Sequence, residues 1–253
     1  MKFIEFFNAI DDIKNVRILT LENIPADTRA KQITFFHYIK AISLLDTIQI
    51  LCRENKANES GIILRSLLNL YINIKWLTLK DINYRMKRYA DFEIISKKIK
   101  MALADAKPDD ELEKDKSVEL NKKFNEIVAK YKLNAQNWKD LTRWSGKSIR
   151  EMARDVCLLN DYEKIYSYLS FEEHTDPSTV RNHIDRSASV IFPKIANPDD
   201  FRIALIIWTA LSYYYEIEKI ISNIFMVSFS EEHPNLKELA NKYLNEARKG
   251  NIK

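Results

Sequence analysis

Three glycines in a chain of 253 residues exclude most folds before any other feature is read. Tight hairpins and phosphate-cradling loops need residues at positive φ, which glycine alone adopts without strain. A chain with so few must be built from long helices joined by short polar connections. With 46% hydrophobic residues it has enough apolar surface to close a sizeable core. The expected class is all-α: a multi-helix bundle with long central helices.

The apolar spacing between the prolines is helical throughout. It predicts helices over about 28–55, 59–79, 84–104 and 109–132, then shorter elements after Trp138. One of these starts at Ser148, because Ser148 to Glu151 reads as a capping box whose side chains satisfy free N–H groups. Another runs over about 161–173. A long helix over about 199–228 is apolar on most sides and therefore central, and an amphipathic helix over about 235–248 closes the chain. No flexible linker interrupts the pattern, so residues 1–253 are expected to form one domain, with the charged helix 109–132 at its periphery.

Charge is mixed rather than one-sided. The formal net charge is +4, too small by itself to mark a nucleic-acid binder. The longest apolar run, Ile203 to Leu211, falls short of the roughly 20 residues a bilayer requires. The N-terminal stretch carries acids where a signal peptide has none. The expectation is a cytoplasmic protein without a membrane partner. Cys52 and Cys157 lie in helical patterns without a CxxC or a neighbouring histidine, so both are expected as reduced core residues. No metal and no other cofactor is called for.

The helix over 59–79 poses the functional question. Ile63, Leu67, Leu70, Ile74 and Leu77 fall on one face and the flanks are apolar too, which leaves a narrow strip of Arg65, Ser66, Asn69 and Asn73. A helix this apolar is covered on several sides, and a buried guanidinium without a partner costs several kcal/mol. Two explanations remain open. Arg65 pairs structurally with an acid of another helix, Asp46 for instance, or the strip lines a pocket for an anionic or polar ligand that the planar guanidinium grips.

A second segment, Tyr162 to Ser178, bears on that choice. On a helix Tyr162, Ile165, Tyr166 and Leu169 form the core face, while Ser170 and His174 stand one turn apart on its edge. His174, followed by Asp176 and Pro177, lies near the negative end of that helix, which favours its protonated form and suits an acid, a base or a phosphate contact. A cap or a satisfied surface histidine fits the same position. Glu172, Glu173 and Asp176 lack a second histidine at metal-ligand spacing.

Four pieces then fall in order: R-S-L-L-x-x-Y-I-N-I-K-W-L from Arg65, R-x-x-R-Y-x-x-F from Arg85, W-x-G-K-S-I-R-E-M-A from Trp144, and Y-x-x-x-Y-x-x-x-S-x-x-x-H from Tyr162. Together they resemble a large, poorly characterised bacterial family of all-helical proteins with an R-S-L-x-E helix and a late S-x-x-x-H. Such proteins are distantly similar to the HEPN helical domains of toxins and phage-defence systems, many of them dimeric, metal-independent ribonucleases. The resemblance implies a HEPN-like fold in which Arg65, Ser170 and His174 converge. It also implies a homodimer, a defence or toxin setting with a cognate antitoxin or defence partner, and RNA or a nucleotide as ligand. Asn69 stands where that family's helix tends to have glutamate, and the HEPN pairing of an arginine with a histidine a few residues later is absent.

In that reading Arg65 and His174 are the catalytic candidates of a ribonuclease, and Asn69, Asn73, Ser170, Tyr166 and Asp176 line the ligand site. The alternative is a non-catalytic helical module that binds a nucleotide or a protein, with Arg65 in a structural network. Gly146-Lys147-Ser148 lacks the first glycine and the preceding strand of a P-loop and reads as a helix start. Arg85, Lys87 and Arg88 among Tyr84, Tyr89 and Phe92 suit either an RNA contact or a solvated helix face with core aromatics.

Overall fold

The computed structural model describes residues 3–8, 10–12, 26–103, 111–166, 184–185, 192–193, 200–227, 238 and 241–246. Residues 4–8 and 10–12 are helical (α1). Then follow α2 (Arg29–Arg53), α3 (Ala57–Leu79), α4 (Ile82–Leu103), α5 (Glu111–Lys130), α6 (Trp138–Thr142), α7 (Ile149–Asp155) and α8 (Leu159–Asp161). A π-helical turn occupies Tyr162–Tyr166, and the long α9 spans Asp200–Phe225. Residues 241–246 are helical (α10). Beside these helices Ile184–Asp185 and Phe192–Pro193 form a two-residue antiparallel pair, so short that it leaves the class all-α.

Among the described helix ends, those of α2, α5 and α7 close without glycine. At the end of α2, Asn55 takes φ 55 while the Asn55 and Lys56 N–H groups donate to the carbonyls of Cys52 (3.1 Å) and Leu51 (2.8 Å). This is a Schellman closure, whose left-handed residue is usually glycine. The same closure recurs at Lys132, φ 51, and at Cys157, φ 60, with Leu133 N–H donating to Val128 (2.9 Å) and Leu158 N–H to Ala153 (2.8 Å). A sequence almost without glycine thus ends its helices on residues that tolerate the left-handed region at a cost of about 1–2 kcal/mol each.

That closure corrects one expectation. Cys52 is buried, and burial pushes its thiol up to about 12. Cys157 is exposed, because the left-handed residue past α7 turns its side chain away from the core and leaves Leu158, the next residue, to pack inward at 8% exposure. Of the helix expected over 161–173, the described residues cover only the first turns. Residues 159–161 are α-helical and 162–166 form the π turn. His174, Ser170 and Asp176 lie outside the described residues.

The core lies where α2, α3 and α9 pack on one another. Leu45, Ile48, Leu67, Leu68, Ile72, Ile74, Ile207 and Ile217 are essentially inaccessible. Truncating one of the leucines or isoleucines to alanine costs about 2–5 kcal/mol by the transfer and cavity terms. On α3 the expected face is buried at Leu67, Ile74 and Leu77 and half-buried at Ile63 and Leu70, and the buried surface extends over Leu64, Leu68, Tyr71 and Ile72. A polar seam crosses this core: the Tyr38 and Tyr214 hydroxyls are 2.8 Å apart, and Tyr38 donates to the buried Glu218 carboxylate at 3.3 Å. α2 and α3 reach the length and mean hydropathy of membrane spans, a test that core helices also pass, and here both are core helices.

α1 is tied to α2 by Gln49, which donates to the Phe7 carbonyl (2.8 Å) and to Asp11 (3.0 Å), and by the Arg53–Asp11 ion pair at 2.7 Å. α4 and α5 form a hairpin with a small cluster of its own, Phe92, Ile95 and Ile127. The charged α5 packs along α4.

Candidate functional site

α7, α8 and the π turn form a strap that runs antiparallel along α3. Its far end is anchored by Trp76, whose indole N–H donates to Asp155 at 2.9 Å. Midway, Asp161 acts electrostatically on Tyr71 of α3 and Tyr213 of α9. The near end is at Arg65, whose guanidinium carbon lies 3.6 Å from the centroid of the Tyr166 ring. Arg65 and Trp76 are about 16 Å apart along the helix axis, and the strap covers the same span in reverse.

Local chemistry fixes where the strap begins. Gly146 takes φ +75, and a Cβ there would meet the Arg88 guanidinium at 3.4 Å. Arg88 donates to the Trp144 carbonyl at 2.6 Å. Ser148 then caps α7 in a full capping box: its hydroxyl accepts from Glu151 N–H while the Glu151 carboxylate accepts from Ser148 N–H at 2.7 Å. Lys147 reaches Asp155 at 2.5 Å. The Lys147 ammonium first, and then the Trp76 hydrogen bond, hold the Asp155 carboxyl below its usual range. Arg150 pairs with Glu163 and so joins α7 to the π turn.

At the Arg65 end three planar groups are layered. The Tyr162 and Tyr166 rings stack at 4.5 Å and 23°, and Arg65 lies against the Tyr166 face. Such a separation is face contact between planar groups and is worth about 0.5–2 kcal/mol. Burial, then the neighbouring Tyr166, raises the Tyr162 hydroxyl, with Arg65 and Arg150 pulling weakly the other way. Single π turns within helical segments frequently mark functional sites.

Asn69 and Asn73 extend the strip along α3. The Asn73 amide donates to the Asn69 backbone carbonyl at 2.7 Å, which fixes the orientation of that side chain. The side-chain oxygens of Asn69 and Asn73 are buried and accept no hydrogen bond from the described residues. An unmet buried acceptor costs about 1–3 kcal/mol, so two of them one turn apart call for donors from elsewhere. Beyond them Tyr71 and Tyr213 stack at 5.6 Å. Burial pushes both hydroxyls well up, assisted at Tyr71 by Glu216 and Asp161 and at Tyr213 by Asp161 and Tyr71.

The structure therefore brings Arg65, Asn69, Asn73 and Tyr166 to one side of α3, with Arg65, Asn69 and Asn73 half-buried and Ser66 exposed. Among the contacts of Arg65 is the face of the Tyr166 ring. Sequence reasoning missed how the two middle motifs meet. Arg85 is buried, with its guanidinium 3.6 Å from the Trp76 ring, and it donates to the Trp76 carbonyl. Trp144 packs edge-on against Trp76 at 5.4 Å and Tyr89 at 5.0 Å. Neither Arg85 nor Arg88 belongs to a solvated face. The order of the motifs was the available signal, since residues that share a contact without sharing a helix leave no periodicity. An open cleft of about 590 Å³ between the start of α2 and α4 is lined by Thr28, Arg29, Met86, Lys87 and Ile94 and includes none of the site residues.

A family of unknown function, DUF5677, matches residues 31–189, well over half of the chain. The chain belongs to that family. The DUF5677 match runs from α2 through the strap and includes Arg65, Tyr166, Ser170, His174 and Asp176, while α9 lies beyond it. No curated protein and no solved structure matches.

Proposed function

We propose that this member of DUF5677 is a HEPN-like helical protein of bacterial defence or toxin type that cuts RNA without a metal, using Arg65 and His174. The observation that carries the reading is the Arg65 guanidinium laid on Tyr166, beside the Tyr162–Tyr166 stack. A planar cation next to aromatic faces is the composition that grips single-stranded RNA, the cation taking phosphate and the rings taking bases.

Arg65 steadies the phosphate as negative charge grows on it. His174, eight residues after Tyr166, takes the proton of the attacking 2′-hydroxyl or returns one to the leaving oxygen. Ser170 and Asp176 complete the ligand site, and the protein works as a homodimer with an antitoxin or a second defence component as its partner. The test is incubation of single-stranded RNA with the purified chain, its Arg65→Ala and its His174→Ala variants, each checked for its melting temperature. Cleavage lost in both variants at unchanged stability supports the enzyme.

A second reading is favoured by the same contact: Arg65 staples the strap to α3 as Trp76 does at the other end, and the protein is a non-catalytic helical module. Under that reading no RNA is cut and Arg65→Ala lowers the melting temperature.

A further inference from the structure

The α4–α5 hairpin meets the rest of the molecule along a thin seam. Among the described residues, none of α4 or α5 belongs to the main core, and the hairpin keeps its own cluster of Phe92, Ile95 and Ile127. Between the two lies a smaller cluster, Ile33 of α2, Leu77 of α3 and Met86 of α4, with Tyr89 and Trp144 packed against it.

His37 sits in this seam. It is 1% exposed, and its ring centre lies 5.2 Å from that of Tyr89 on α4 and 5.5 Å from that of Phe36. Nδ1 stands 2.8 Å from the Ile33 carbonyl oxygen. A carbonyl oxygen only accepts, so Nδ1 carries the proton and the neutral ring keeps a bare lone pair on Nε2. A second proton would have to enter the seam there.

Nothing charged among the described residues is placed to receive it. On α4, Arg85 lies on the Trp76 ring and donates to its carbonyl, Arg88 donates to the Trp144 carbonyl, Asp91 pairs with Lys130, and Lys87 is exposed. On α2, Lys31 pairs with Asp27 and Lys40 is exposed. α3 and the connection before α7 contribute Leu77 and Trp144. Burial holds the imidazole below its usual range, with the Ile33 carbonyl pulling the other way and no carboxylate acting on the ring. Aromatic neighbours return only part of what an unpaired charge loses on leaving water.

We propose that His37 is an acid-sensitive latch: a proton arriving at Nε2 releases the α4–α5 hairpin from α2 while the core of α2, α3 and α9 stays folded. A released imidazole takes its proton near about pH 6.5, and the docked one only at lower pH, so the docked state binds fewer protons between those values. Docking is therefore strongest above the free value and weakens as the pH falls below it. Release also parts Arg88 from the Trp144 carbonyl, where the strap begins. The latch uses none of the RNA-site residues and stands whether or not RNA is cut.

The test is hydrogen exchange of the full-length chain at about pH 7.5 and about pH 5.5, on either side of the free imidazole value, corrected for intrinsic rates and read separately over α4 and α9. One unit below that value, a ring that protonates only on release weakens docking about tenfold. The α4 amides are therefore expected to lose about tenfold in protection while those of α9 keep theirs. His37→Phe and His37→Gln, both neutral at either pH, are expected to abolish the difference. The chain has three further histidines, His174, His183 and His233; a pH effect on α4 that survives in the His37 variants belongs to them and overturns the latch. So does α4 protection that is unchanged in acid, or that falls together with α9. Should both variants fail to fold, the His37 ring signal of a histidine-labelled parent chain decides the matter by NMR. A midpoint below the free value, shared with the loss of α4 protection, supports the latch, and a ring that titrates at or above that value with α4 still protected overturns it.

Discussion

The Arg65 guanidinium carbon stands 3.6 Å from the centre of the Tyr166 ring, which joins a core helix to a segment from far along the chain. The contact does two things at once. It gives a half-buried cation an aromatic face, and it holds the π turn against α3, with the Tyr162 ring stacked behind.

Removing the ring separates these roles. Tyr166→Leu is expected to cost about 1 kcal/mol, the worth of a partly desolvated cation–π contact. Tyr166→Phe keeps the face and loses only the hydroxyl with its hydrogen bond to Tyr162, so it is expected to cost less than Tyr166→Leu. Urea unfolding of the two variants checks this. Equal losses would mean that the hydroxyl, not the face, matters to Arg65.

The other end of the strap carries a pH dependence. Asp155 is held ionised below the usual carboxylate range by Lys147 and then by Trp76. In acid the folded state therefore binds fewer protons at this group than the unfolded chain, whose aspartates titrate near about 3.9. The stabilisation is complete above that value and is lost as the pH falls through it towards the lower folded value. Asp155→Asn should make the acid limb of the stability–pH curve shallower while leaving the neutral plateau flat. Trp76→Phe, which removes one donor, should cost about 1 kcal/mol. An unchanged acid limb in Asp155→Asn would contradict the assignment.

Cys157 should be improvable. It occupies a left-handed position at φ 60 that costs a side chain about 1–2 kcal/mol, and glycine loses about 0.5–1 of that gain to its freer unfolded chain. Cys157→Gly is expected to raise stability by about 0.5–1 kcal/mol, read as a shift of the urea midpoint at constant slope. In the parent chain Cys157 should react with a thiol reagent under native conditions, while the buried Cys52 should react only after unfolding.

Much of this architecture is legible in the residues, because helix signals are local. Ser148 caps α7 as its position implies, and the ends of α3, α4, α5 and α9 fall within a few residues of the apolar pattern. The half-burial of Arg65, Asn69 and Asn73 followed from an α3 covered on several sides. What the pattern does not carry is the identity of contacts between remote segments. Tyr166 joins the Arg65 site only through the family resemblance, with no local mark beside Arg65, and nothing near Arg85 announces that its guanidinium lies on Trp76. The outward turn of Cys157 is hidden too, since a left-handed closure on a residue other than glycine has no strong local mark. The Tyr162–Tyr166 turn departs from α-geometry although its apolar spacing is helical.

The most direct test of the central claim, that Arg65 and His174 serve one RNA-cutting site, is single-turnover cleavage by the parent chain, both alanine variants and their double. Residues that act as a unit are strongly non-additive, so the double variant should lose no more activity than the worse single one. Losses that multiply, or a parent chain that leaves RNA intact, would contradict it.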